Sequence, residues 1–372
     1  MRALIVDEGR ERSSVAAARA LRSTGWTVVA ASPSPNIASR SKAVSDWQPV
    51  RHTSDGGDAF LESLEQAVRA SASEVVFVTW EAAVAVVSAR REELSCAVGY
   101  GPHEGVMTVM DKSRLSSTAG LCGVEVPRSG TLEEALDGRL GQRVVVKPAL
   151  QSELSGAAQI FEDPGSAVAH ARSIEAAGGR ALLQEVADGR LVALTLVAGS
   201  EGIVSIAQQI AEHSWPQPAG VTARGLTVAV DPELRARVQQ LLLHVGWQGL
   251  AQLQFIATDD GRHLLIDFNP RLYGSLALAV RAGANHPDAF ARLATGRPVQ
   301  PSEGRAGARY QWFSRDLRAS LNEPRRASEV VRCITVGAGA AHSLWSWEEP
   351  LLAPRFLAAQ AGRAVKRRVS ER

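Results

Sequence analysis

The chain has 372 residues, 45% of them hydrophobic and 22% charged, with a formal net charge of +2. That length accommodates two or three domains, and that composition belongs to a globular chain and excludes a disordered one. A near-neutral charge and few aromatics among the basic residues leave no case for nucleic-acid binding, and no run approaches the ~20 apolar residues of a membrane span.

Taken in order, Ala3–Val6 reads as a strand, with no signal-peptide pattern before it. Val15 to Arg22 reads as a helix of small apolar residues stopped by Gly25, and Thr27–Ala31 as the next strand. Glu74–Thr79 is a continuous apolar run of the kind found in buried parallel strands. Residues 1–105 are therefore expected to form a small doubly wound α/β domain. The first turn, Asp7-Glu8-Gly9-Arg10, lacks Gly-x-Gly-x-x-Gly, which argues against a dinucleotide-dependent dehydrogenase. Three widely spaced cysteines, Cys96, Cys122 and Cys333, show neither metal spacing nor an even disulfide framework and suit a cytoplasmic location.

Asp111-Lys112-Ser113 begins a helical stretch, and Arg143–Lys147 is a strand ended by Pro148. The loop Gln151–Gly156, with Ser155 and Gly156 at its end, carries small and hydroxylated residues that can cradle phosphate through backbone N–H groups. Ala181–Val186, Leu191–Val197 and Ile203–Ile210 read as further strands. Asp231-Pro232 opens a helix through His244, with Asp as N-cap and Pro at the first helical position. Leu234, Val238, Leu241, Leu242 and Val245 sit at helical spacing and are expected to form its buried stripe. Pro298, Pro301, Gly304 and Gly307 mark a linker-like stretch.

The most informative segment is a hairpin. Gly249–Phe255 and Leu264–Asn269 flank turn chemistry at Asp259-Asp260-Gly261. Strand alternation puts Leu253 and Phe255 on one face and Gln252 and Gln254 on the other. A four-residue turn over Asp259–Arg262 sets Gln254 opposite Asp267, with Asn269 on the same polar face. Arg271 follows Pro270, and Gly274-Ser275 opens a helix whose N–H groups can meet an anion. A carboxylate, an amide and a guanidinium within five residues suit a metal-bound polyphosphate. Each residue alone has a plainer reading: Lys112 and Lys147 as surface lysines, Glu185 as a solvated strand residue, Arg271 as one half of an ion pair.

In their order and spacing, Asp111-Lys112, Val146-Lys147-Pro148, Gln184-Glu185-Val186 and Asp267-Phe268-Asn269-Pro270-Arg271 resemble the ATP-grasp superfamily. The likeness is nearest to its carboxylate–amine ligases, related to carbamoyl-phosphate synthase and biotin carboxylase. It covers most of residues 1–295. The resemblance implies a mixed α/β and α+β fold, in which ATP lies between two antiparallel-sheet subdomains behind an N-terminal pre-grasp domain. The expected divisions are 1–105, a lid subdomain 106–187, a large subdomain 188–297 and a C-terminal extension 298–372. It further implies that Lys112 and Lys147 contact the nucleotide phosphates, with Ser155 and Gly156 in the phosphate loop. Gln184, Glu185 and Val186 would form the adenine-binding hinge. Asp267 and Asn269 would hold Mg2+, with Gln254 where the family usually has an acidic ligand. Arg271 would steady the transferred phosphoryl group. Related ligases place a substrate-facing loop where this chain has residues 213–224, which makes Arg224 a candidate carboxylate clamp and His213 a candidate proton carrier. Tyr273 and Ser275 would line the acceptor pocket.

The expected activity is ATP- and Mg2+-dependent formation of an acyl phosphate, followed by attack of an amine or a thiol. The partners are then a small carboxylate and an amine, and a homodimer is compatible with this reading. Gln254 carries no charge, so a nucleotide-binding module that has lost turnover is the alternative.

Overall fold

The computed structural model describes residues 1–9, 11–150, 158–217 and 219–359. They form two compact units, one of residues 1–98, 272–277 and 342–359, the other of residues 99–271 and 278–341.

The first unit is built on apolar runs that have no polar face to show to water. Strands β1 (Arg2–Val6), β2 (Thr27–Ser32), β3 (Asp46–Pro49), β4 (Val75–Val78) and β5 (Ala97–Val98) make a parallel sheet in the order β3-β2-β1-β4-β5. Val75–Val78 and Ala3–Val6 are buried along their length, as a parallel strand covered on both faces requires. Helices α1 (Glu11–Arg22), α2 (Gly57–Ser71) and α3 (Glu81–Ala89) connect the strands. The chain runs outward from β1 to β3 and then returns to β4 on the other side, the doubly wound pattern.

Residues 342–359 belong to this unit. Leu344, Leu352 and Phe356 pack against Val15, Ile37 and Ala38. Glu349 accepts from Arg19 Nε at 3.0 Å, Ser41 Oγ at 3.0 Å and the Lys42 amide at 2.7 Å.

The second unit starts with α4 (His103–Met110) and α5 (Lys112–Leu121). A four-stranded antiparallel sheet of β6 (Ser129–Gly130), β7 (Val144–Pro148), β8 (Gln159–Phe161) and β9 (Ala181–Glu185) runs in the order β6-β9-β7-β8. Helices α6 (Leu132–Leu136) and α7 (Pro164–Ala176) cover it through Ala135, Ala167, Val168, Ala171 and Ile174. The larger sheet contains β10 (Arg190–Gly199), β11 (Gly202–Trp215), β12 (Val221–Val228), β13 (Gly249–Ala257), β14 (His263–Asn269), β15 (Ser302–Glu303) and β16 (Arg309–Gln311). Its order is β14-β13-β10-β11-β12-β16, with β15 lying parallel to β11. Helices α8 (Pro232–His244), α9 (Leu276–Ala282), α10 (His286–Ala294), α11 (Phe313–Asn322) and α12 (Arg326–Gly337) complete the described elements. Asp231 caps α8 by accepting from the amides of Glu233 at 2.9 Å and Leu234 at 3.2 Å. No helix among the described residues is long and apolar enough to cross a membrane.

Two sequence expectations change here. Residues 298–372 do not stand apart as an extension among the described residues: β15, β16, α11 and α12 join the second unit and 342–359 the first. The physical reason is edge pairing, since β12 would otherwise leave a row of backbone groups unpaired, and β16 supplies them through Arg224↔Gln311, Gly225↔Tyr310 and Leu226↔Arg309. Residues 213–224 are likewise not one loop, because β11 runs to Trp215 and β12 begins at Val221.

Arg224 holds α11 and α12 to this sheet. It is 0% exposed. Its Nη2 donates to Glu329 Oε2 at 2.6 Å and its Nε lies 3.6 Å from Asp316 Oδ1. Asp316 is also buried and meets His213 Nδ1 at 2.9 Å and Gln311 Nε2 at 2.7 Å. Gly225 beside it admits no side chain, since a Cβ there would sit 2.7 Å from the Ile210 carbonyl oxygen. Removing one member of a buried charge pair strands the other in a poorly solvated place. Arg224→Ala is therefore expected to lower the unfolding free energy by about 3–5 kcal/mol, measured by urea denaturation followed by Trp fluorescence.

Candidate functional site

The site lies in the second unit, and the local sequence explains how each side chain reaches it. Asp111 ends α4 in an extended conformation and caps α5 by accepting from the Ser113 and Arg114 amides at 3.0 and 3.1 Å. Arg180 holds the other Asp111 oxygen in an ion pair. Lys112 is thus fixed at the first helical position, and its amide donates to the Ala149 carbonyl at 2.8 Å, just beyond the end of β7. Lys147 sits on β7, opposite Leu182 of β9. On the other side, the Leu265 amide donates to the Glu125 carbonyl at 2.7 Å and ties β14 to the segment after α5.

Gln252 faces Asn269, Leu253 faces Phe268 and Gln254 faces Asp267 as expected, but the four-residue turn over Asp259–Arg262 is not formed: Ala257 faces His263, and a bulge immediately after Gln254 restores the expected pairing. Leu253 and Phe255 are fully buried behind the polar row.

The side chains then meet. The Lys112 ammonium forms an ion pair with Asp267 Oδ1. Lys147 Nζ donates to the Ile266 carbonyl at 2.8 Å. Asn269 Nδ2 donates to Gln254 Oε1 at 3.2 Å and to Gln252 Oε1 at 3.4 Å, and Arg271 Nη2 donates to Asn269 Oδ1 at 2.9 Å. Lys112, Lys147, Gln254, Asp267, Asn269 and Arg271 are therefore brought together.

Electrostatics couple them. Burial pushes the Asp267 carboxyl up, but the charges of Lys112, Lys147 and Arg271 outweigh it and hold the group below the usual carboxylate range. Lys147 is only 6% exposed. Burial first, and then the neighbouring Lys112 charge, pull its ammonium down to about 8, against the attraction of Asp267. Tyr100, also buried, has its phenol pushed up by burial, with Arg271 nearby acting the other way.

The donors fit a hard divalent cation that arrives with an anion. Asp267 offers an anionic oxygen and Gln254 and Asn269 offer amide carbonyls, the oxygen ligands that Mg2+ prefers; Mg2+ usually takes one or two carboxylates and completes its shell with phosphate and water. Among the described residues, no group of three or more His, Cys, Asp or Glu could hold a metal by itself.

Other expected residues fall elsewhere. Gln184 lies near the end of β9, buried, with Nε2 on Ser129 Oγ at 3.0 Å. Glu185 spends its amide on the Arg128 carbonyl at 2.9 Å and its carboxylate on the Arg128 amide at 3.0 Å. Val186 follows β9 and is half-buried. Ser155 and Gly156 lie outside the described residues. Tyr273 and Ser275 are buried in the first unit.

Arg224 does not join the group around Asp267. Asp267, Gln254, Ala193, Gln209 and Thr227 form one rung across the large sheet, so their side chains share a face. Arg224 lies three residues before Thr227 and faces the other way, with His213 and Asp316. A carboxylate clamp needs an accessible guanidinium, and this one is enclosed by protein carboxylates.

The sequence reading overlooked Asp111 and Arg180 as positioning groups. An Asp directly before a helical Lys is a readable cap, whereas Arg180, 69 residues away from Asp111, has no local signal.

A family model for the ATP-grasp in the biosynthetic pathway with Ter operon matches residues 217–315. A search of curated proteins found no match. Among solved structures, the biotin carboxylase domain of Hydrogenobacter thermophilus 2-oxoglutarate carboxylase, a complex with MgADP, ADP and bicarbonate, superposes with a TM-score of 0.64. The identity is 16%, over 83% of this chain and 73% of that one. Staphylococcus aureus N5-carboxyaminoimidazole synthetase, in complex with ADP, gives 0.61 at 16% identity, over 81% and 78%. L-amino acid ligase from Bacillus licheniformis gives 0.60 at 15%, over 80% and 75%. The chain thus shares the fold of these three enzymes, and its residues 217–315 match an ATP-grasp family model.

Proposed function

We propose that the protein is an ATP- and Mg2+-dependent ligase that activates a carboxylate as an acyl phosphate and joins it to an amine, releasing ADP and phosphate. The observation that carries this reading is the convergence of Lys112, Lys147 and Arg271 on Asp267 and Asn269. Phosphoryl transfer asks a protein mainly for positioning and charge neutralisation, and three fixed cations around one carboxylate supply both. The similarity to a carboxylase, a synthetase and an amino acid ligase supports the same class.

In this reading Lys112 and Lys147 bind phosphate oxygens as compact charges. Arg271, braced by Asn269, faces the transferred group, where a preset charge stabilises the transition state more than the ground state. Gln184, Glu185 and Val186 line the adenine end through β9, beside the strand that bears Lys147. Asp267, Asn269 and Gln254 would hold Mg2+, which would supply Lewis-acidic charge toward the phosphates. Residues 106–187 act as the lid subdomain and 188–297 as the large one. Tyr273 and Ser275 are retained as candidates on the acceptor side, and the nucleophile is an amine in preference to a thiol. The cysteines Cys96, Cys122 and Cys333 are free thiols, in keeping with a cytoplasmic protein.

One observation favours a second reading. Gln254 offers a neutral carbonyl at the position facing Asp267, and a site short of one negative charge suits a nucleotide-binding module without turnover.

Incubation with ATP, Mg2+ and panels of carboxylic acids and amines, with hydroxylamine present to trap an acyl phosphate, tests the ligase. ADP release is expected to depend on one acid, and Arg271→Met is expected to lower kcat by roughly 100-fold. ATP binding without any acid-dependent ADP formation would instead support the module, and a gain of turnover in Gln254→Glu would identify the missing charge as its cause.

Lys147 provides an independent test. Its ammonium is easier to deprotonate folded, near 8, than unfolded, near 10.4. The unfolded chain therefore binds more protons between these values, and stability rises with pH across them. The burial penalty is fully present below pH ~8 and gone above ~10.4. Lys147→Met is expected to weaken nucleotide binding yet to stabilise the nucleotide-free protein at pH 7 by about 1–3 kcal/mol, and denaturation at pH 10 should show that gain largely lost.

A further inference from the structure

We infer that Lys112 occupies the metal position until a triphosphate displaces it, so that the site admits a single divalent cation and only together with nucleotide. This rests on the nucleotide reading above and specifies how that site is loaded.

Among the described residues, one Asp267 oxygen and the amide carbonyls of Gln252, Gln254 and Asn269 are already engaged. The Lys112 ammonium sits on Asp267 Oδ1. The side-chain carbonyls of Gln252 and Gln254 both turn toward the Asn269 amide nitrogen, and the Asn269 carbonyl accepts from Arg271. Three cations act on the Asp267 carboxylate, and the Lys112 ammonium already holds one of its oxygens. A bare divalent ion must displace the Lys112 ammonium from Asp267 and then lie close to it and to Lys147, and like charges a few ångströms apart in a partly buried place repel strongly.

A triphosphate reverses this balance. Its oxygens offer Lys112 a better-charged partner than a single carboxylate, the lysine leaves Asp267, and the freed oxygens receive the ion that the phosphates bring. Lys112 can make this exchange because it heads α5 on a flexible four-carbon stem, whereas its backbone stays tied to Ala149. The ion count follows from Gln254. Facing Asp267 in register, it adds an amide dipole where a second carboxylate would add the charge to hold a second ion.

The test uses Mn2+ as the probe, with protein-bound ion read from the relaxation enhancement of water protons, on the full chain. Nucleotide binding is read separately by displacement of a fluorescent ATP analogue in the presence of a chelator. Wild-type protein is expected to show no enhancement with Mn2+ alone and one bound ion per chain with a non-hydrolysable ATP analogue. Lys112→Gln and Lys112→Met are expected to bind Mn2+ without nucleotide at least about tenfold more tightly than wild type. Gln254→Glu is expected to raise the count with nucleotide to two. Mn2+ binding to nucleotide-free wild type as tight as in the Lys112 variants, or two ions beside the analogue in wild type, would overturn the inference while leaving the nucleotide reading intact. Failure of the fluorescent analogue to bind would instead remove the nucleotide reading, and the inference with it.

Discussion

The ion pair between Lys112 and Asp267 is the contact on which the site depends. It joins the start of α5 to the end of β14 across 155 residues of chain, and its carboxylate feels the charges of Lys112, Lys147 and Arg271. A cluster of this kind suits a ligand of negative charge. It is also held by hydrogen bonds within the protein, from Lys147 to the Ile266 carbonyl and from Arg271 to Asn269. Preset charge of this sort contributes most where charge develops in a reaction.

Such a cluster is costly to the fold. Lys147 is buried with a weakened hold on its proton, and burying a cation without a full partner opposes folding. The expense is borne by the surrounding scaffold: the Asp111 cap and its Arg180 ion pair, the apolar layer of Leu253 and Phe255, and the sheet ladder through β10. A conflict between local stability and charge placement is what functional sites tend to show. The network of Arg224, His213, Asp316 and Glu329 is of the other kind. Its charges are answered by one another, and it fastens helices to a sheet.

The parts of this molecule legible from sequence were those governed by a short period or a local cap. The apolar runs of β1 and β4 and the Asp231-Pro232 start of α8 each follow from residues within about ten positions of one another, and the shared polar face of Gln252 and Gln254 follows from strand alternation. Where the partner is distant the reading faltered. Arg224 resembled a loop arginine because Pro216, Pro218 and Gly220 lie just before it, yet Gln311, Asp316 and Glu329 draw it into β12 and enclose it. Residues 298–307 resembled a linker because of their prolines and glycines, yet Ser302 and Glu303 pair with β11, and β16 directly after them supplies the edge strand that β12 needed.

What the sequence determined by itself was therefore the elements and the chemistry each could carry: a strand ending in Asp267, Asn269 and Arg271, a capped helix beginning with Lys112, a strand bearing Lys147. Alternation and capping act through bonds and neighbouring turns, so they are written locally. Tertiary structure alone decided that Lys112 faces Asp267 while Arg224 faces Asp316. Side chains from strands and helices far apart in the chain meet only after sheet register and helix packing have been set, and the strength of a charge contact depends on that final separation and on the water excluded around it.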